Sequence, residues 1–194
     1  MPSTWPQVIR DPVHNLITFE NNDIDRLLLN LINAKEFQRL RRIKQLGLCE
    51  MVFPGANHNR FAHSIGVMHV ARQMLAKIIA DDEIEVTGEQ KTIVTVAALL
   101  HDIGHGPFSH AFEKVTTDKH ESRTLQIILD PETEINRTLR EINENLPNKV
   151  SEFFNEDVDE NSDGAPSILT QIVSSQLDAD RADYLLRDSH ATGA

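Results

Sequence analysis

QKTIVTVAALLHDIG, residues 90–104, is an apolar helix that ends on two groups able to ionise. Ile93, Val94, Val96, Ala97, Ala98, Leu99 and Leu100 cover such a helix on nearly every side, which marks it as central to a core. Gly104 stops it, Gly106-Pro107 blocks its continuation, and Pro107 suits the first turn of a new short helix through Phe112. His101 and Asp102 therefore lie at the deep end of a core helix. An imidazole and a carboxylate without partners there would cost on the order of several kcal/mol. A divalent cation is one partner, since it binds neutral imidazole nitrogen and ionised carboxylate oxygen together. Backbone hydrogen bonds in a helix-ending pair are the other partner, and the more ordinary one for an isolated His-Asp dipeptide.

Outward from this helix the pattern is helical on both sides. Ile65, Met68, Ala71, Leu75 and Ile78 recur at intervals of three and four, predicting a helix from about Phe61 to Ala80, entered from the turn residues Pro54-Gly55 and Asn57. Gly88 and its acidic neighbours form the connector to the core helix. Further upstream, residues 22–47 offer Asn22 or Asp23 as an N-cap, a division near Asn33 and Gly47 as a stop. VIRDPVHNLITF, residues 8–19, reads as a short hairpin, because β-branched residues surround Pro12 and a His14-Asn15 pair. Helical stretches run from Glu121 to about Phe154, and residues 155–167 are too polar and turn-rich to pack. Ser167 caps a last helix over residues 168–188. The fold class is mainly α, a helical bundle with a small N-terminal β-hairpin. Residues 1–194 are read as a single domain, with the hairpin in 1–20 and helices in 21–194.

A hydrophobic fraction of 40% against 25% charged residues is ordinary for a folded globular chain. No apolar run reaches the roughly 18 residues that cross a bilayer, so no membrane partner is expected. Cys49 is a lone cysteine and the first residues lack a signal-peptide pattern, which points to a reducing, cytoplasmic setting. A net charge of −11 disfavours nonspecific nucleic-acid binding, although the stretch from Arg39 to Lys44 is locally basic.

Two further residues bear on His101-Asp102. His63 stands at a helix start and Asp180 in the last helix, beside Asp178, Asp183 and Asp188. Each alone is unremarkable, a helix-terminal histidine and one of several solvated acids. Mixed N/O ligation without thiolate suits Mn, Fe, Mg, Ni or Zn. A zinc-protease reading fails, since Asp102 occupies the place of the required Glu between His101 and His105.

NRFAHSIGVMHVA (59–71), ALLHDIGHGPFSHAFE (98–113), KHE (119–121) and LDADRADYLLRD (177–188) together resemble the HD-domain phosphohydrolases, in particular the deoxynucleoside triphosphate triphosphohydrolase branch. DPVH (11–14), FQRLRRIKQLG (37–47) and FPGANHNRFAHS (53–64) extend the resemblance from about Ile9 to His190. The resemblance implies a mononuclear or dinuclear metal site of His63, His101, Asp102 and Asp180. It implies that Arg60, His105, His110, His120, Glu121 and Arg181 line a triphosphate or move protons, that Tyr184 and Asp188 contact substrate, and that Gln45 and Leu46 press on the deoxyribose edge. His110 is the choice for protonating the departing 5′ oxygen, oriented by Glu113 if that stretch is helical. Gln38 and Arg41 match positions of a regulatory nucleotide site. Asn33 departs from it where an Asp would read guanine, and Gln7 and Arg10 also differ, which argues against guanine-nucleotide activation.

The function implied is metal-dependent hydrolysis of dNTPs to deoxynucleoside and triphosphate, by a homo-oligomer. Family members usually continue well past position 194, so the chain reads as shortened at its C-terminal end. An HD phosphohydrolase acting on another nucleotide is the alternative within catalysis. A noncatalytic nucleotide or nucleic-acid binding module is the alternative outside it, and the full ligand set speaks against that.

Overall fold

A computed structural model describes residues 5–81, 85–108, 119–154 and 168–194. The hairpin forms from β1 (Gln7–Asp11) and β2 (Asn15–Phe19), antiparallel, with Gln7 opposite Phe19 and Asp11 opposite Asn15. Asp11 builds the turn. Its Oδ1 accepts from the backbone N–H groups of Val13 at 2.9 Å and His14 at 3.0 Å. Asn15 adopts the left-handed φ of 65° that asparagine tolerates better than most residues. Ile17 and Phe19 are fully buried, and their shared face pins the register to the core.

Helix α1 (Asp23–Asn33) is capped by Asn22, whose side chain accepts from Asp25 N–H at 2.8 Å. Its buried stripe is Leu27, Leu28, Leu31 and Ile32. The chain breaks at Ala34, then runs through α2 (Lys35–Gln38) into a 3-10 turn over Arg39–Arg42. The division near Asn33 is as expected, but the helical run ends at Arg42 and not at Gly47. Ile43 is extended and Lys44 forms an isolated bridge with Asn59, which redirects the backbone before Gly47 takes a turn with φ of 58°.

Helix α3 (Arg60–Ala80) is capped by Asn59, which accepts from Ala62 N–H at 3.0 Å. Helix α4 (Gly88–Leu100) begins in a capping box of Thr87 and Gln90, so Gly88 opens the helix and does not belong to the connector. Regular helix ends at Leu100, and residues 101–104 follow as turns, with Ile103 N–H donating to Leu100 O at 3.0 Å and His105 N–H to Asp102 O at 3.1 Å. Then come α5 (His120–Leu129), α6 (Glu134–Ile142) and α7 (Leu146–Ser151).

The last helix expected over residues 168–188 is two helices, α8 (Ile168–Val173) and α9 (Ala179–Thr192). Asp178 makes the break. Its carboxylate accepts from Arg181 N–H at 2.8 Å as the α9 N-cap and from Ser175 N–H at 3.0 Å on the other side. The Ser167 cap, the polar segment 155–166 and the helix expected through Phe112 lie outside the described residues.

α3 packs against both α4 and α9. Leu28, Leu31, Phe37, Leu40, Ile65, Met68, Val96, Leu99 and Leu100 share one core cluster. Val67, Ala71, Leu75, Val94, Ala98, Leu169, Ile172 and Ala179 form a second. α4 feeds both, which is why its sequence is apolar all round. Burial of each such aliphatic side chain contributes about 1.5–3 kcal/mol. The result places the first turn of α3, the end of α4 and the first turn of α9 around one point.

Candidate metal centre

His63, in the first turn of α3, is fully buried. Its Nε2 faces His101 Nε2 at 3.3 Å, Asp180 Oδ1 at 2.9 Å and Asp102 Oδ2 at 3.6 Å. His101 Nε2 lies 3.6 Å from Asp180 Oδ1 and 3.5 Å from Asp102 Oδ1. The four side chains expected as ligands thus converge from three separated segments. Metal bonds of roughly 2.1 Å place neighbouring donor atoms about 3.0–3.4 Å apart in octahedral or tetrahedral arrangements. The His63–His101 and His63–Asp180 separations come close to that spacing, and His63, His101 and Asp180 form one group whose ligand atoms lie within 4.8 Å of one another, while Asp102 reaches the two histidines through different oxygens at 3.6 and 3.5 Å.

The other ring nitrogens decide the chemistry. His63 Nδ1 is 2.8 Å from Asp183 Oδ2, and His101 Nδ1 is 2.9 Å from the Ala98 carbonyl oxygen. Both partners accept only, so both Nδ1 atoms carry the proton and both Nε2 atoms of the neutral rings present lone pairs toward each other. Two lone pairs at 3.3 Å call for a cation between them. Two imidazoles and two carboxylates, with no thiolate, suit a divalent ion such as Mn, Fe, Mg, Ni or Zn.

Without a metal, a proton fills that role. Burial lowers the pKa of His63, but the Asp180 and Asp183 hydrogen bonds and the Asp102 charge outweigh it, leaving it raised to about 9. His101 is opposed by burial in the same way and is raised by Asp102 and Asp180. Burial raises the pKa values of Asp102 and Asp180, yet the neighbouring imidazoles hold both below the usual carboxylate range, with Arg60 adding to the effect at Asp102.

Behind these four side chains lies a buried ionic chain that reaches the hairpin. Asp183, fully buried, accepts from His14 Nε2 at 2.6 Å and from Arg187 Nε at 2.8 Å and Nη2 at 2.9 Å, in addition to His63. Arg187 also donates to Asp11, at 2.9 and 3.3 Å. Asp183 is therefore no solvated acid. Ala179, Asp183 and Arg187 recur every fourth residue and form the buried stripe of α9, a signal available in the sequence but obscured by the polarity of its members.

Arg60 is buried and donates from Nη1 to Asp102 Oδ2. His105 Nε2 is 3.3 Å from Asp102 Oδ1, and its ring stacks on His120 at 3.7 Å between centroids and 16° between planes. His120 Nδ1 is 3.3 Å from Glu121 Oε2. Asp102, His105 and His120 form a second group whose ligand atoms lie within 4.8 Å of one another, with Asp102 between it and the first. Burial lowers the pKa of His105 to about 4 despite the Asp102 contact, so its ring is neutral at pH 7.

Half-buried Tyr184 and Asp188 lie four and eight residues beyond Asp180 along one face of α9. His58 Nε2 is 2.8 Å from Asp188 Oδ1, and Gln45 N–H donates to the His58 carbonyl at 3.1 Å. Gln45 Oε1 is buried without a hydrogen-bond partner among the described residues, and Leu46 beside it is half-buried. Arg181 is exposed and donates to Gln176 O at 3.1 Å. Gln38 donates to Ile32 O at 2.7 Å and accepts from Arg41 Nε at 2.8 Å, while the Arg41 guanidinium lies 3.6 Å from the Phe61 ring centre. His110 and Glu113 lie outside the described residues.

A helical fold that gathers a histidine, a His-Asp pair and a later aspartate at one point defines the HD class. The chain belongs to the HD domain family: its residues 60–188 match the model of that family. It is 42% identical over 187 residues to the uncharacterized protein YwfO of Bacillus subtilis, covering 96% of this chain and 40% of that protein. It is 35% identical over 216 residues to the deoxynucleoside triphosphate triphosphohydrolase SAMHD1 of Gallus gallus, covering 96% of this chain and 34% of that one. Among solved structures it is similar to a phosphohydrolase of Bacteroides thetaiotaomicron, with a TM-score of 0.78 and 36% identity, covering 96% of this chain and 43% of the other. The chain spans less than half the length of these relatives. No helix among the described residues is long and apolar enough to cross a membrane.

Proposed function

We propose that this chain is a metal-dependent phosphohydrolase that cleaves dNTPs to deoxynucleoside and triphosphate. The observation that carries the proposal is the pair of Nε2 lone pairs of His63 and His101 turned on each other beside Asp180, with both Nδ1 atoms committed elsewhere. The SAMHD1 relative supplies the substrate class.

Held by His63, His101, Asp102 and Asp180, a divalent ion would acidify a water molecule toward neutral pH and polarise a phosphoryl oxygen. The residues themselves do the rest. Arg60 adds to the imidazoles in keeping Asp102 ionised and places positive charge near the phosphorus under attack. His105, neutral at pH 7, is a hydrogen-bonding group and not a cation. His120, set by Glu121 and stacked on His105, lines the triphosphate. As water attacks the α-phosphorus, the bond to the 5′ oxygen breaks, that oxygen takes its proton from His110, and the proton given up by the water returns His110 to its starting state through solvent. Gln45, whose buried oxygen lacks a partner among the described residues, and Leu46 read the sugar edge. Tyr184, Asp188 and Arg181 complete the substrate contacts, and Gln38 with Arg41 is assigned to a regulatory nucleotide in a homo-oligomer.

A panel of nucleotides with product identification tests this. Metal-dependent release of inorganic triphosphate from dNTPs, abolished by Asp102→Ala, is expected. Orthophosphate or pyrophosphate alone would instead assign the site to another nucleotide. Tight single-strand binding without turnover in any metal would make the chain a binding module.

A further inference from the structure

We propose that His14 is a positioning residue of the metal centre, acting through Asp183 on His63. The proposal rests on the centre proposed above, and it gives a role to the turn Asp11-Pro12-Val13-His14, which neither the metal nor the substrate contacts use. The turn closes a ring of hydrogen bonds. Asp11 Oδ1 accepts from the His14 backbone N–H at 3.0 Å, the His14 ring reaches Asp183 Oδ1 at 2.6 Å, and Arg187 donates to both carboxylates. From this ring one bond leads to the centre, donated by His63 Nδ1 to Asp183 Oδ2.

A carboxylate accepts only, so Nε2 of His14 carries the proton that it shares with Asp183. Asp183 then holds four donors, which fill the roughly four lone-pair positions of a carboxylate. His14 and Arg187 Nη2 meet Oδ1, while His63 and Arg187 Nε meet Oδ2. The bidentate grip of Arg187 fixes the plane of the group, and the two imidazoles hold one oxygen each. Loss of the His14 donor would open a lone pair on a fully buried oxygen and free the carboxylate to swing about Arg187, carrying Oδ2 off the His63 N–H.

Stability does not account for this arrangement. Ile17 and Phe19, fully buried, already anchor the hairpin in the core, and a buried ionic cluster is often no more stable than apolar residues of the same volume. The His14 side chain is only 9% exposed, and its ring lies 5.3 Å from that of His69 on α3, which holds its aim at Asp183.

Titration with cobalt(II), a spectroscopic stand-in for the divalent ion, separates positioning from support when it is paired with urea unfolding of the metal-free variants. Asn and Gln carry the same amide donor, but only Gln reaches as far as the Nε2 of a histidine. His14→Asn should weaken cobalt binding about tenfold, the lower end of the usual effect of a supporting partner, because His14 acts through Asp183. It should also change the visible absorption of the bound ion, and His14→Gln should restore most of both. Ile17→Val, which thins the buried face of the hairpin but leaves the His14 donor in place, should lower the urea midpoint and leave cobalt affinity unchanged. Equal cobalt binding by His14→Asn and the unsubstituted chain would overturn the role of His14 and leave the metal centre standing. So would a His14→Gln variant as weak as His14→Asn, or an Ile17→Val variant that loses as much affinity. Failure of the unsubstituted chain to bind cobalt would remove the centre itself, and this role with it.

Discussion

His63 donates from Nδ1 to Asp183 at 2.8 Å while turning Nε2 to Asp180 at 2.9 Å. Asp183 thereby selects the tautomer of a proposed ligand that it does not sit beside in sequence, and Arg187 fixes Asp183 in turn. Asp183→Asn should weaken metal binding about 10–100-fold, the usual effect of removing such a supporting partner. It should also destabilise the chain by about 3–5 kcal/mol, because Arg187 loses a buried counter-charge. Metal titration and urea unfolding measure the two effects, and unchanged metal affinity would refute the role of Asp183.

Gly66 lies where α3 crosses α9, and a methyl group there would overlap the Asp183 carboxylate and the Arg187 guanidinium. Gly66→Ala should cost about 1–3 kcal/mol from overpacking and weaken metal binding as well. Gly88→Ala is the matched control, since nothing lies within 4 Å of its added methyl group. Comparable urea midpoints for the two variants would show that the close approach is not restrictive.

The helices that hold the site were legible from apolar spacing, and α4 most of all, because a helix apolar on every face has only one place to go. The four residues proposed as ligands were legible only through the resemblance, as neither His63 nor Asp180 carries a local signal. Asp183 and Arg187 were missed because a buried charge stripe looks like a solvated one until both partners are seen, and the partner here is Asp11, 176 positions away. The break before α9 was missed for a local reason: Asp178 supports helix composition yet turns its carboxylate back to cap both sides.

That cap orients the first turn of α9, which carries Asp180. Asp178→Ala should cost about 0.5–2 kcal/mol and lower metal affinity without abolishing it. Thermal unfolding with and without added metal checks both effects. A loss of metal affinity as complete as that of Asp180→Ala would mean that Asp178 is itself a ligand.

The stability of the metal-free chain and the stabilisation gained from metal depend on pH with opposite signs. His63 has an ordinary pKa of 6.5 and one raised to about 9 in the folded chain, by Asp180 and Asp183 acting against burial. A raised folded pKa contributes stability that is fully present below 6.5 and lost as pH climbs through 9. The metal-free chain should therefore lose stability across that window. Metal must displace the same proton, so the rise in Tm on adding metal should grow with pH over that range. A metal-induced shift that is constant from pH 6.5 to 9 would show that His63 is not protonated in the metal-free chain.

The most direct test is the metal content of the chain purified without chelator. At least one tightly held divalent ion per chain is expected, lost in His63→Ala, His101→Ala and Asp180→Ala variants that keep their helical circular dichroism. A folded chain that holds no divalent ion when offered Mn, Fe, Mg, Ni or Zn would contradict the proposed centre, as would one whose metal content is unmoved by those substitutions.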